Sequence, residues 1–383
     1  MPVESDNLLS VAQGEFELNR LPKRPRELLR AWDAADEYLL NTLTEEFKPS
    51  VDARILILND TFGALAVALS SFQPLAVSDS YLSQQATRLN LAANDLPERS
   101  VRLMNSLEAL EGVFDLVLIK VPKTLALLED ELMRLHPHLR LSTKVIAAGM
   151  IKTLPPSIWK MLERLVGPTT TSLARKKARL IFATPDPKLD VPPSPYPVCY
   201  QLEGTGHLIS NHANVFSRDS LDIGTRFFLQ HLPARQDACD IIDLGCGNGL
   251  VGLIAAEGNP AATVHFVDES FMAVASASDN FHRAFGQQRE ATFRVGDGLM
   301  DFESESADMI FCNPPFHQQN TVGDQIADSM FKQSRRVLRK GGELWIIGNR
   351  HLPYHLNLDR LFGAHSVVAA NSKFVILKAR LNN

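Results

Sequence analysis

Asn313-Pro314-Pro315-Phe316 gathers the groups needed to hold a planar amine. It follows an apolar run, Met309-Ile310-Phe311-Cys312, that reads as a strand. Two prolines end that strand and remove backbone donors, so the turn presents carbonyl oxygens rather than amides. Beside them stand a carboxamide that can accept hydrogen bonds and an aromatic face on which a flat group can stack. The set suits holding a conjugated –NH2 group so that its nitrogen attacks an electrophile. Taken alone, the tetrapeptide also fits a strand-ending turn with a packed Phe.

About seventy residues earlier, Asp240-Ile241-Ile242-Asp243-Leu244 forms a second short apolar strand. It runs into Gly245-Cys246-Gly247-Asn248-Gly249 and then a helical stretch from Leu250 to Glu257. Alternate glycines let the backbone turn sharply and approach a ligand before a helix N-terminus. The strand Val264-His265-Phe266-Val267 ends in Asp268, about twenty residues past the loop, where such folds place the acid that binds ribose hydroxyls. Asp243, at the mouth of its strand, suits a cationic amine and would repel a pyrophosphate. In this order the set resembles class I methyltransferases that use S-adenosylmethionine and methylate exocyclic amines, over roughly residues 200–383. The resemblance implies that Asp243, Gly245 and Gly247 cradle the methionine part of the cofactor, that Asp268 binds the ribose, and that Asp297 lies near the adenine amine. An ordinary Asp-Gly turn is the other reading of Asp297. By the same resemblance Asn313 and the Pro314 carbonyl accept the target amine and Phe316 stacks on the base.

The chain has 383 residues, 45% of them apolar, which leaves room for two domains of ordinary size. Its first residues lack the basic and apolar regions of a signal peptide, and no charge-free apolar run reaches membrane-spanning length. Cys199, Cys239, Cys246 and Cys312 lack metal-ligand spacing. These features lead us to expect a cytoplasmic enzyme with free thiols, no metal and no membrane partner. Cys312 invites comparison with a catalytic thiol, but its apolar strand favours a structural role.

The N-terminal half reads as a worn copy of the C-terminal half. Arg54-Ile55-Leu56-Ile57-Leu58 is a strand, followed by Asn59-Asp60-Thr61-Phe62-Gly63 and a helical run from Ala64. Leu75-Ala76-Val77-Ser78 is a second strand, ending in Asp79, and Asp115–Ile119 mirrors Asp308–Cys312. Lys120-Val121-Pro122-Lys123 stands where the other half has Asn-Pro-Pro-Phe, and Lys144–Gly149 parallels Glu343–Gly348. Strand and helix order repeat while the chemistry does not. We therefore expect an α/β protein of two tandem Rossmann-like folds, residues 1–190 and 191–383, the first degenerate. Chance likeness between two α/β domains is the alternative. A Pro-rich stretch from Pro185 to Pro197 marks the linker.

Charge suggests a use for the silent half. Counting Lys and Arg against Asp and Glu, residues 1–131 carry −9 and residues 132–179 carry +9. The basic segment ends in Arg175, Lys176, Lys177 and Arg179, and clustered cations of this kind bind phosphates. Lys120 and Lys123 would add to it if they lie nearby. A solvated surface is the competing reading.

A degenerate N-terminal copy, a Pro-rich linker and a C-terminal Asn-Pro-Pro-Phe together resemble bacterial ribosomal RNA guanine-N2 methyltransferases. Among them the likeness is greatest to the family of the ribosomal RNA large subunit methyltransferase G enzymes. Ala31–Leu40, Val121–Leu128, Asn211–Arg218 and Asn313–Gln319 carry it. The resemblance implies methyl transfer to the exocyclic N2 of a guanine in large-subunit (23S) ribosomal RNA, with the small-subunit (16S) enzyme as the nearest alternative. Protein glutamine N5 methylation, which uses a similar turn, and a non-catalytic RNA-binding factor stay open. The segment Asn214–Ser217, with Phe216 among the cofactor-binding residues, reads either as a lid over the cofactor or as a hairpin packed on the core.

Overall fold

The computed structural model of the protein describes residues 7–23, 27–235, 237, 239–315 and 321–382, without the side chains of 321–324. Two compact units divide the chain, Met1–Pro195 and Tyr196–Asn383. Among the described residues the first holds a seven-stranded sheet: β1 (Ile55–Leu58), β2 (Leu75–Ser78), β3 (Arg102–Asn105), β4 (Leu116–Lys120), β5 (Lys144–Met150), β6 (Thr169–Thr171) and β7 (Ala178–Ala183). The second contains β8 (Asp240–Leu244), β9 (Thr263–Asp268), β10 (Ala291–Val295), β11 (Ala307–Cys312), β12 (Leu338–Asn349), β13 (Ser366–Ala370) and β14 (Phe374–Arg380). Their spatial orders are β3-β2-β1-β4-β5-β7-β6 and β10-β9-β8-β11-β12-β14-β13, one pattern used twice. In each, five strands are parallel and the pair at one end is antiparallel.

Continuous apolar runs make these strands, because helices cover a parallel sheet on both faces. Ile55, Leu56, Ile57 and Leu58 are all buried, as are Ile241, Ile242 and Leu244. In the C-terminal unit Phe266 stacks on Phe293 with centroids 5.0 Å apart and meets Phe281 edge-on at 5.4 Å. Truncating such a fully buried Phe costs roughly 3–5 kcal/mol. Among the described residues, no helix is long and apolar enough to cross a membrane.

The repeat extends to individual hydrogen bonds. Leu58 pairs with Val77 and Ile119, and Leu244 pairs with Val267 and Cys312. Asp115 Oδ2 accepts the Arg54 N–H at 2.9 Å, and Asp308 Oδ2 accepts that of Asp240 at the same distance. A hairpin precedes each sheet, Leu8–Val11 with Gly14–Glu17 and Val198–Gln201 with Leu208–Asn211. One Asn side chain clamps the chain at the end of each. Asn90 accepts from Asn19 N and donates to Asn19 O and Phe62 O. Asn280 accepts from Ser210 N and donates to Ser210 O and Asn248 O. Chance likeness of two α/β folds does not predict shared clamps, so we read the halves as copies.

This register corrects one detail. Ser78, which follows Val77, holds the position of Asp268, which follows Val267; Asp79 matches Glu269 instead. Ser80 and Ser270 then fall together as N-caps of the helices Tyr81–Ala93 and Phe271–Phe285.

Candidate active site

In an open parallel sheet, ligands bind beyond the carboxyl ends of the strands where the order reverses. In the C-terminal unit that point lies between β8 and β11. The glycine loop leaves β8 there, and Asn313 leaves β11. Gly245, Gly247 and Gly249 have φ of +73°, +54° and +78°, the left-handed region that favours glycine. A Cβ on Gly249 would fall 2.7 Å from that of Ala277, so this glycine lets the helix Leu250–Gly258 pack closely. A Cβ on Gly247 would meet nothing within 4 Å. That open face lets a ligand touch the backbone.

The acids hold this loop in shape. Asp268 Oδ2 accepts the Gly247 N–H at 2.9 Å and Oδ1 that of Ser270 at 3.0 Å. A carboxylate oxygen carries two lone pairs, so an acid of this kind can serve the loop and accept from a ligand hydroxyl together. Asp243 is buried and accepts the Gly252 N–H at 2.8 Å. Burial, opposed by that bond and reinforced by Asp268, pushes its pKa up to about 8. A buried carboxyl with no cation beside it reaches such a value by desolvation. Asp297 follows Gly296, whose N–H donates to the Asp268 carbonyl at 3.0 Å, so β10 delivers it close to Asp268. It is half-buried, and burial with Asp301 nearby raises its pKa. Phe216 is 65% exposed while its neighbour Val215 is buried. The segment therefore packs through Val215 and presents the Phe216 ring to solvent. Helical structure starts at Ile223, two residues after Leu221, because Asp222 caps it by accepting the Thr225 N–H.

Asn313 is the most telling residue. Its Nδ2 donates to Thr225 Oγ1 at 3.1 Å, whereas its Oδ1 is buried with no partner among the described residues. Orphaned buried carbonyls are uncommon, since each costs roughly 1–3 kcal/mol. Pro314 is buried beside it; Phe316, assigned to base stacking, lies outside the described residues. Cys312 is fully buried, and burial followed by Asp243 drives its thiol far above the ordinary range, which removes it as a nucleophile. Among the described residues no His, Cys, Asp and Glu group could hold a metal ion.

The N-terminal counterpart has replaced this chemistry piece by piece. Matching Leu58 to Leu244 places Ile57 at Asp243, Asn59 at Gly245, Thr61 at Gly247 and Gly63 at Gly249. Asn59 keeps the left-handed turn at φ +64°, and Gly63 has φ +81°. Lys120 stands at Asn313, with its Nζ 2.9 Å from Asp33 and 2.7 Å from Asp36. Its side chain is only 13% exposed. Both acids thereby meet a cation, and Lys120 is not part of a free basic surface. Of the basic run, Arg175 lies 3.6 Å from Glu45 and stacks over Tyr38, Lys176 bonds Glu37 at 2.6 Å, Lys177 is exposed, and Arg179 is half-buried.

Thr225, Asn280, Asn248 and Asn211 were not singled out from sequence. Asn248 Nδ2 donates to Asn211 Oδ1 at 2.9 Å, tying the loop to the hairpin. The one local signal for Thr225 is Asp222, a capping residue three positions earlier.

Comparison with known proteins then places the chain. The RLMG N-terminal domain family matches residues 6–187, and the Methyltransferase small domain family matches residues 206–378. The ribosomal RNA large subunit methyltransferase G of Ectopseudomonas mendocina is 53% identical over 365 residues, covering 95% of this chain and 97% of its own. That of Streptomyces griseus is 48% identical over 380 residues, covering 97% and 99%. This chain belongs to the ribosomal RNA large subunit methyltransferase G family. A Thermus thermophilus 16S rRNA N2 methyltransferase, solved in complex with AdoMet and guanosine, shares the fold over 97% of both chains, with a TM-score of 0.75 and 21% identity. Members of this family are S-adenosylmethionine-dependent methyltransferases, and the site fits that cofactor. A buried carboxyl at Asp243, an open backbone face at Gly247 and a carboxylate at Asp268 lie together at one end of the sheet.

Proposed function

We propose that the chain methylates the exocyclic N2 of a guanine in large-subunit ribosomal RNA, consuming S-adenosylmethionine. The reading rests above all on the buried Oδ1 of Asn313, which has no partner among the described residues, at the turn where family resemblance puts the target amine. The names of the relatives supply the substrate class. A guanine amine is conjugated with its ring, so its lone pair is poorly available. Accepting its two N–H groups on Asn313 Oδ1 and the Pro314 carbonyl favours a more tetrahedral nitrogen with its lone pair exposed. The bound cofactor supplies an electrophilic methyl group. Positioning contributes most of the rate, and the product ammonium is acidic enough to lose its proton to water without a general base. Within this reading Asp297 contacts the adenine and Phe216 covers the cofactor. A paired guanine cannot present its amine to a strand-end turn, so the nucleotide is taken unpaired or flipped, with Phe316 as its stacking partner.

Arg175, Lys176, Lys177 and Arg179 are proposed to hold RNA phosphates. Arg175, Lys176 and Lys177 share one turn and Arg179 lies in the strand that follows it, which supports this, with Lys177 the most available of them. Mass spectrometry of large-subunit ribosomal RNA from a strain lacking this protein should find one N2-methylguanosine missing. An unchanged modification profile would overturn the assignment.

A further inference from the structure

Asn313 can serve the target amine only if its carboxamide faces one way, with oxygen toward the site and –NH2 away from it. The chain around it fixes that choice. Thr225 Oγ1 lies 3.1 Å from Asn313 Nδ2 and 3.4 Å from Asp222 Oδ2. The same Asp222 oxygen accepts the Thr225 backbone N–H at 2.9 Å. A hydroxyl has one proton to donate. With that proton directed at a carboxylate, Oγ1 has only lone pairs left for Asn313, and only the –NH2 end can meet a lone pair. A flipped amide would set two oxygens against each other and aim two donors at the incoming amine. Thr225 is buried, so water does not freely replace it.

The same helix position contacts the same strand end in the silent half. Asp33 caps the helix Ala34–Thr42 as Asp222 caps Ile223–Leu229, and Asp36 and Thr225 are each the third helical residue. Asp36 holds Lys120 where Thr225 holds Asn313. The partner has changed with the residue it supports.

From this geometry we propose that Thr225 is a positioning residue for methyl transfer, locking the Asn313 carboxamide with Oδ1 toward the target amine. The proposal rests on the reading of Asn313 as amine acceptor, and the test separates the two. Full-length Thr225→Val, Thr225→Ser, Asn313→Ala and the Thr225→Val/Asn313→Ala double variant are compared. Radiolabelled S-adenosylmethionine and protein-free ribosomal RNA from a strain lacking the enzyme are the substrates, with calorimetric cofactor affinity read in parallel.

Thr225→Val should slow single turnover at saturating RNA roughly ten- to a hundredfold, as expected for a buried polar group losing its partner. Cofactor affinity and the RNA KM should stay within about twofold, and Thr225→Ser, which keeps the oxygen, within about threefold of wild type. In the Asn313→Ala background Thr225→Val should add nothing further. Retained cofactor affinity reports that the variants fold; should Val not be accommodated, Thr225→Ala against Thr225→Ser reads the same contrast. Wild-type turnover in Thr225→Val beside an inactive Asn313→Ala would overturn the role of Thr225 and leave Asn313 standing. Turnover by Asn313→Ala would overturn both. Slowing of equal size in the two backgrounds would mean that Thr225 acts other than through Asn313, and that also overturns the proposal.

Discussion

Lys120 lies 2.7 Å from Asp36 at the strand end where the other half of the protein holds Asn313 against Thr225. One copy of the fold has closed that place with charge, and the other holds there a carbonyl with no partner among the described residues.

Removing Lys120 should therefore damage the fold and spare the chemistry. Lys120→Ala strands Asp36, which is buried, and breaking such a pair costs about 3–5 kcal/mol. Urea unfolding should show the loss in the transition of the N-terminal unit. Cofactor affinity should match wild type, and a variant as stable as the parent would show the ion pair to be unimportant.

Asp268→Ala should weaken S-adenosylmethionine by about 2–3 kcal/mol, because two charge-assisted acceptors are removed. Part of that loss arises within the chain, as the Gly247 and Ser270 amides give up their acceptor. RNA affinity should change little. Calorimetry showing undiminished cofactor binding would mean that the ribose sits elsewhere.

Cofactor affinity should depend on pH in a stated direction. Burial holds Asp243 protonated, with its pKa pushed up to about 8 against an ordinary 3.8. The folded state thus binds more protons than the unfolded one between about pH 4 and 8, and stability falls as pH rises through that window. Asp60, at about 7, and Glu131, at about 8, add to the same decline from the N-terminal unit. A cationic amine beside Asp243 favours the carboxylate, so binding releases a proton. Affinity should rise with pH, up to about tenfold per unit, and level off near pH 8. Asp243→Asn should flatten the profile, and a flat wild-type profile would separate Asp243 from the amine.

Neutralising Arg175, Lys176, Lys177 and Arg179 together should lessen the salt dependence of RNA binding. Each phosphate released from a cation lowers the slope of log affinity against log salt by about 0.9 for duplex or 0.7 for single strands. The drop should fall short of the full value for all of these cations, because Glu45 and Glu37 already engage Arg175 and Lys176. Single-turnover rates at saturating RNA should hold, since these cations position the substrate without touching the amine. A salt slope equal to that of wild type would return them to the role of a solvated surface.

The glycine loop, its two acids and the strand-end Asn were legible because each imposes a local rule: a left-handed turn, a carboxylate at a strand mouth, a proline that ends pairing. The duplication was legible for the same reason, since apolar runs recur in one order. What escaped were interactions between segments far apart in the chain. Thr225 lies 88 residues from Asn313, and Lys176 lies 139 from Glu37. No spacing announces either. The slip from Ser78 to Asp79 has a plainer cause. An acid near a strand end looks like the ribose ligand, and only strand register shows that it is one residue late.

Asn280 fastens the hairpin strand Leu208–Asn211 and the glycine loop to one carboxamide, so the two cannot open independently. Whatever stiffens the loop is felt at the Ser210 amide, whose hydrogen should exchange with solvent more slowly once cofactor is bound. Asn90 makes the same bonds in the N-terminal half, where Thr61 and Ser78 stand in place of Gly247 and Asp268. The Asn19 amide, carried by the same molecule, is the reference against which that slowing is read.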